Sequence, residues 1–340
     1  MADADAALGA TPGRVAHRWI VPGEQAGARL DAALSALLDG PSRSRVRQWI
    51  EAGRVRINGR LPRPRDMVAA GDAIDVEAAA EPAQSVDAPE PMPLAVVYED
   101  ADLLVLDKPA GLVVHPGAGH GSGTLLNGLL AFDSALAALP RAGIVHRLDA
   151  DTSGLMVVAR TLRAQADLVR QLQARTVTRE YWALVYGAAP PAGRIDAPLA
   201  RDPRNPLRFK TSRAAGAREA VTHFRRVDQI DLEPLKVGWL ACRLETGRTH
   251  QIRVHLESIG HPLVGDPVYR RGRPALRTDN ARLAPLAAFA RQALHACALR
   301  LQHPASGRSM SWFRAPPADL RGLMKALGFR GMGRATKVFE

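Results

Sequence analysis

Apolar positions along this chain follow two kinds of spacing, and the change from one to the other marks its organisation. Near the N-terminus the spacing is helical: Leu30, Ala33, Leu34 and Leu37 share one face of a helix that opens at Arg29-Leu30-Asp31 and ends at Gly40-Pro41. Ser42 can cap a second helix with Val46, Trp49 and Ile50 inward and Arg43 and Arg47 outward. Gly53 stops that helix, Val55-Arg56-Ile57 is a strand, and Asn58-Gly59 is a tight turn. Two helices and a small strand pair over residues 17–77 make one module. Residues 1–16 are small, polar and aperiodic, which predicts a disordered tail. Residues 78–93 hold four prolines without apolar periodicity, which predicts a stiff linker.

Strand-length apolar runs then take over. Leu94 to Tyr98 and Leu103 to Leu106 flank the turn Glu99-Asp100-Ala101-Asp102, a hairpin signal. Further strand candidates are Leu155 to Ala159, Tyr181 to Val185, Val221 to Arg226, Trp239 to Leu244, Ala296 to Leu301 and Met310 to Phe313. Helical periodicity returns at Ala164 to Gln173 and Gln251 to Ile259. The pattern predicts an α+β domain over residues 94–325, a mixed and largely antiparallel sheet flanked by helices, with a tail over 326–340.

Charge adds a partner to this picture. Lys and Arg number 46 against 34 Asp and Glu, a formal charge of +12, so a polyanion is expected. The excess is clustered: Arg43, Arg45, Arg47, Arg54, Arg56, Arg60, Arg63 and Arg65 face only Glu51 between residues 43 and 65. Cys242 and Cys297 lack CxxC spacing, which predicts a reduced, cytoplasmic protein without a zinc knuckle or disulfides. The first residues lack a basic flank with an apolar core, and no run approaches membrane-spanning length, so neither export nor a membrane partner is expected.

Candidate chemistry concentrates in GIVHRLDADTSGLMVVAR, residues 143–160, where a charged turn feeds a buried strand. Asp149 or Asp151 then stands at a strand entrance beside a cleft; the competing reading is a solvated turn whose side chains satisfy local N–H groups. Tyr181 offers a phenol on a strand, as a site residue or as core. Arg253, early in a helix, can form the two-pronged hydrogen bond that keeps a buried carboxylate ionised. The glycine cluster from Gly117 to Thr124 lacks both GxGxxG spacing and a P-loop lysine. His250 and His255 are five apart, off a common helical face, and there is no HExxH, so no metal is expected. An anionic aspartate beside a tyrosine in a polyanion-binding protein suggests attack or charge stabilisation at a sugar carbon or base.

GIVHRLDADTSGLMVVAR, TREYWALVYG, LETGRTHQIRVHL and GHPLVGDPVY resemble, in order, the signature blocks of the RluA-type pseudouridine synthases. RLDAAL and SRSRVRQWIEAGRVRING resemble the small α/β RNA-binding domain named after ribosomal protein S4. Together the likeness spans about residues 18–320. It implies the pseudouridine synthase fold and cofactor-free isomerisation of uridine. DLLVLDKPAGLVVHPGAGHGSGTLLNGLL and RQALHACALRLQHPASG are most similar to members acting on the large ribosomal subunit, which implies the helix 69 hairpin of 23S rRNA.

By the same resemblance, Asp149 is the residue essential to glycosidic cleavage, through attack on ribose, attack on uracil, or elimination to a glycal. Tyr181 packs under the target uracil and Arg253 pairs with the aspartate. Arg147 fills the space left by the flipped uridine, a movement needed because C1′ and C5 are inaccessible in a folded hairpin. His146 and Arg248 join Arg147 as RNA contacts, and the small domain contributes Arg43, Arg45, Arg47, Arg54 and Arg56. Two positions depart from the family: Ala150 stands where a basic residue is usual, and Arg270-Arg271 follow Val268-Tyr269 in place of glycine. The expected protein is a monomeric enzyme. Its alternatives are a non-catalytic ribosome-assembly factor, a synthase for other rRNA or tRNA uridines, and a hydrolase, which would release free uracil.

Overall fold

The computed structural model describes residues 14–37, 43–79, 88–117, 121–205, 207–233, 235–274 and 282–330. Side chains at 14–17, 36, 43–45 and 77–79 fall outside that description, as do Ser42, Gly40-Pro41 and residues 331–340. The chain divides into two compact units, Met1–Ser85 and Val86–Glu340. In the first, β1 (Arg14–Ile20), α1 (Leu30–Leu37), α2 (Arg43–Glu51), β2 (Val55–Ile57) and β3 (Ala73–Ala79) follow one another. The expected strand pair is a three-stranded antiparallel sheet in the order β1-β3-β2, and β1 starts at Arg14, inside the expected tail. Leu30, Ala33, Leu34, Val46 and Ile50 close over Val55, Ile74 and Val76, so the predicted helix faces are the buried ones. Asn58 and Gly59 both take positive φ, 49° and 76°, as a two-residue hairpin turn requires.

The second unit comprises β4 (Val96–Glu99), β5 (Leu103–Lys108), α3 (Leu125–Phe132), β6 (Ser153–Ala159), α4 (Leu162–Gln173), β7 (Thr178–Tyr186), β8 (Ala192–Asp196), β9 (Leu199–Arg201), β10 (Phe209–Thr211), β11 (Val221–Asp231), β12 (Lys236–Leu244), α5 (Gln251–Ser258), α6 (Ala284–Ala288), β13 (Leu294–Gln302), β14 (Ser309–Phe313) and α7 (Ala318–Leu327). Among the described residues the main sheet runs β4-β5-β6-β13-β7-β12-β11-β8, with β14 also on β13. Of these described pairings only that of β6 with β13 is parallel. The sheet is therefore mixed and largely antiparallel.

Both faces of the central strands are buried, which is why they read as continuous apolar runs rather than alternations. On β7, Tyr181, Ala183 and Val185 join one core with Leu129 of α3 and Ile252 and Leu256 of α5. Trp182, Leu184 and Tyr186 join another, with Leu286 of α6 and Leu320, Leu323 and Leu327 of α7. The period of two thus assigns Tyr181 to the α5 side.

The glycine cluster ends in a structural device. Thr124 caps α3: its hydroxyl accepts from Asn127 N–H while Asn127 Oδ1 accepts Thr124 N–H at 3.0 Å. α3 is apolar nearly all round and carries no helical stripe, so periodicity does not reveal it. Asn127 also donates to the Ala88 carbonyl at 2.8 Å and accepts Glu90 N–H through its own, so residues 88–90 dock on α3 although the sequence reads them as linker. Past residue 325, where the sequence predicts a tail, α7 continues to Leu327 and Phe329 packs edge-on against Trp239.

Gly154, with φ +116°, sits where β6 meets β13, and a Cβ there would lie 2.2 Å from the Ala296 carbonyl oxygen. Gly154→Ala is expected to cost roughly 3 kcal/mol or more from the backbone clash and strained φ. Urea unfolding measures this; an unchanged midpoint would show that the β6–β13 pairing is looser than described.

Candidate active site

The turn before β6 is built from left-handed backbone. Arg141, Ala142 and Gly143 take φ of 55°, 50° and 76°, and a Cβ on Gly143 would be 1.9 Å from the Ala159 carbonyl oxygen. This tight approach lays Ile144 against Val158, and Leu148 anchors the next turn in the core. The Asp149 carbonyl accepts Thr152 N–H at 3.0 Å, closing the turn. Lys108, 1% exposed, donates to the carbonyls of Ala150 (2.7 Å), Pro109 (2.7 Å) and Leu112 (2.9 Å). Burial pushes its ammonium down to about 7, against the pull of Asp149 and Asp151. Three carbonyl acceptors nevertheless call for three N–H donors, which only the ammonium supplies. Ala150, the departure from the family, is thus held through its backbone.

Arg253 on α5 holds Asp149, but not by the expected two-pronged bond. Its Nη1 donates to Asp149 Oδ2 at 3.0 Å, while Nε and Nη2 form the fork on Asp266 at 2.7 and 3.0 Å. Asp266 is fully buried and also accepts the N–H groups of Val268 and Tyr269. Burial opposes the Arg253 charge, but the bonds to Asp266 and the field of Asp149 outweigh it and raise the guanidinium's affinity for its proton. Asp149 therefore keeps one carboxylate oxygen clear of the fork.

That second oxygen faces His250. The His250 Nε2 lies 4.0 Å from Asp149 Oδ1, and its Nδ1 lies 2.9 Å from the Tyr269 hydroxyl. Tyr269 also accepts Phe209 N–H at 2.9 Å, so its hydroxyl links the imidazole to the backbone of β10. His250 adopts φ 58°, a left-handed conformation held just before α5. His255, by contrast, is buried on Thr222 and the Ala197 carbonyl, so the two histidines serve separate places. Among the described residues no group of three or more His, Cys, Asp or Glu could hold a metal.

Asp149, Tyr181, Arg253, Arg147 and Arg248 line one cleft of about 520 Å³. Tyr181 lies in its floor, where burial pushes the phenol up to about 12, so it is a protonated, mostly apolar surface at neutral pH. Arg147 and Arg248 are exposed at the lip, joined by Arg141 and Arg175, which sequence reasoning did not single out. Asp151, the other carboxylate of the turn, lends its carbonyl to Arg291. His146 is part-exposed and lines the cleft, while its Nε2 accepts Val157 N–H at 3.0 Å and its Nδ1 is buried, so its ring also braces the turn against β6. In the first unit, Arg47 is exposed and paired with Glu51 at 2.8 Å, Arg54 is half-buried, and Arg56 is exposed. Arg43 and Arg45 lie on α2, but their side chains are outside the described residues.

A carboxylate fixed by a buried cation, above an apolar aromatic floor and inside a ring of arginines, suits chemistry on an anionic polymer without bulk water. Comparison with known proteins agrees. The RNA pseudouridylate synthase family matches residues 102–258 and the S4 domain residues 28–74. Ribosomal large subunit pseudouridine synthase D of Xanthomonas campestris pv. campestris is 49% identical over 91% of both chains. The protein of the same name from Escherichia coli (strain K12) is 45% identical over 92% of this chain and 95% of its own. The solved structure of human RNA pseudouridylate synthase domain containing 1 is similar over 71% of this chain and 89% of that one, at 25% identity and TM-score 0.51.

Burial drives His146 down to about 3 and His295, which is bonded to Ser153 and the Arg314 carbonyl, down to about 4. Both folded values lie below the unfolded value near 6.5, so the unfolded chain binds more protons as pH falls. Their stabilisation is complete above about 6.5 and is lost as pH falls toward 4. Urea midpoints at pH 7.5 and 5 should differ accordingly, and His146→Gln should flatten the difference. Equal wild-type midpoints would rule out neutral, buried imidazoles.

Proposed function

This chain belongs to the RluA-type RNA pseudouridylate synthases, with an S4 domain ahead of the catalytic domain, and on that premise we propose that it isomerises uridines of 23S rRNA in the large ribosomal subunit or its precursor. The enzyme is a pseudouridine synthase; the helix 69 hairpin is the substrate its sequence blocks favour. The observation that carries the reading is the carboxylate of Asp149, held on one oxygen by Arg253 in the same cleft as Tyr181.

In this reaction the C1′–N1 bond breaks, the detached uracil turns, and a C1′–C5 bond replaces the first. Asp149 drives the cleavage, with Arg253 and Asp266 fixing its position. Tyr181 supports the uracil, and Leu148, Ile252 and Leu294 line the cleft around it, which keeps water from capturing C1′. The target nucleotide must leave the hairpin stack to reach this depth, and Arg147, exposed at the lip, takes its place. The small domain over residues 17–77 contributes phosphate contacts through Arg54 and Arg56, beside Arg63 and Arg65.

Asp149→Asn retains an acceptor for Arg253 and should fold, yet lose pseudouridine formation by on the order of 10⁴-fold or more. Mapping pseudouridine in 23S rRNA from a deletion strain carrying this variant tests both levels. Helix 69 sites should be absent; their persistence would sink the substrate assignment, and persistence in vitro would sink the role of Asp149.

Reversing Arg54 and Arg56 to Glu should weaken rRNA binding and make log K less steep in log salt by about 0.7 for each phosphate no longer neutralised. An unchanged slope would remove the small domain from the RNA interface.

A further inference from the structure

Arg179 is the unexplained cation of this cleft. It is 7% exposed, and its Nε is buried without a hydrogen-bond partner. Among the described residues its one hydrogen bond is a long 3.5 Å approach of Nη2 to the Glu245 carbonyl, and no carboxylate there forms an ion pair with it. Burial accordingly works against its charge. A guanidinium left this way costs stability and contributes nothing visible to the fold. Its guanidinium packs against Gly247, where a Cβ would lie 2.7 Å from Arg179 Nη1 and displace it.

Its position says what it waits for. Arg179 and Tyr181 are two apart on β7, hence neighbours on one face of the strand, and both line the cleft. We propose that Arg179 is a catalytic residue that binds the carbonyl oxygens of the target uracil and stabilises the negative charge that the base acquires when its glycosidic bond breaks. The inference rests on the reaction proposed above. Cleavage of C1′–N1 leaves its electron pair on uracil, as an anion shared over N1, O2 and O4. When C1′–C5 forms, that pair is used, the C5 proton leaves and N1 gains one, so the product is an isomer and no other reactant is required. By all three routes open to Asp149, electron density flows into the ring. A neutral base enters a dry pocket readily, and a buried cation then favours the charged state more than the bound substrate. A backbone phosphate fits less well, because the arginines exposed at the lip already serve a hydrated polyanion.

The test uses the full-length enzyme with an RNA that the wild type modifies, under single-turnover conditions. Arg179→Gln should lower the saturating rate by about 100-fold or more, leave Kd within about threefold and leave its salt slope unchanged, while Arg179→Lys should recover at least about tenfold over Gln. Arg179→Met should unfold at or above the wild-type temperature, because no ion pair is broken. A wild-type saturating rate with weakened, less salt-sensitive binding would make Arg179 a phosphate ligand and overturn the proposal. So would loss of rate in parallel with loss of stability and no rescue by Lys. If the wild type modifies no RNA, the function itself falls; if Asp149→Asn is inactive and Arg179→Gln is not, only this inference falls.

Discussion

One guanidinium shared between two carboxylates organises the catalytic half of this molecule. Arg253 is buried, and a buried charge is costly unless it is paired and hydrogen-bonded. Asp266 provides the pairing, with two parallel bonds, and is itself tied to the backbone of Val268 and Tyr269. The fork therefore fixes the loop after α5 relative to the helix. Tyr269, lying under the same guanidinium at 5.0 Å, passes the constraint on through His250 and Phe209 to β10. Asp149 receives what remains of the Arg253 donor set. A reactive carboxylate is best held by the second hand of an arginine whose first hand is occupied, because its position is then set without both oxygens being consumed.

The other half of the positioning comes from backbone. Three consecutive left-handed residues, a glycine pressed on a carbonyl and a lysine spread over three carbonyls place Asp149 with no side chain competing for its carboxylate. Such conformations are unfavourable locally and persist because β6 and the core around Leu148 determine them from both sides.

These facts divide what a one-dimensional reading reaches from what it does not. The strands carrying the site were legible because burial on both faces produces unbroken apolar runs, and Tyr181 could be placed on a face by counting in twos. The arginine's need for a carboxylate was legible as well. Its choice of partner was not, since Asp266 and Asp149 compete for one fork, and the winner is decided by a loop that returns 13 residues later. The second role of His146 is hidden for a related reason: beside Arg147 it reads as a surface group, yet it accepts an N–H from the strand that the turn leads into. α3 is invisible to periodicity because its first six residues, Leu125 to Leu130, are buried all round the helix, and the stretch before it reads as free linker because its anchors are backbone groups bonded to Asn127.

The arginines of the second unit also sort by depth, and the sorting follows the reaction they surround. At the lip Arg147 and Arg248 stay solvated, where attraction for a polyanion is long-range and costs little desolvation. Beneath them Arg253 is neutralised by its own protein, so it orients a carboxylate without capturing phosphate. Also buried, beside the tyrosine floor, Arg179 keeps a charge that no carboxylate among the described residues answers. A site for a neutral, flipped base has no use for such a charge in the ground state. It has one at the moment the glycosidic bond gives way, when the base must be both stabilised as an anion and kept from leaving. That one buried guanidinium can satisfy both demands explains why the enzyme can carry in its cleft a cation that no carboxylate among the described residues pairs.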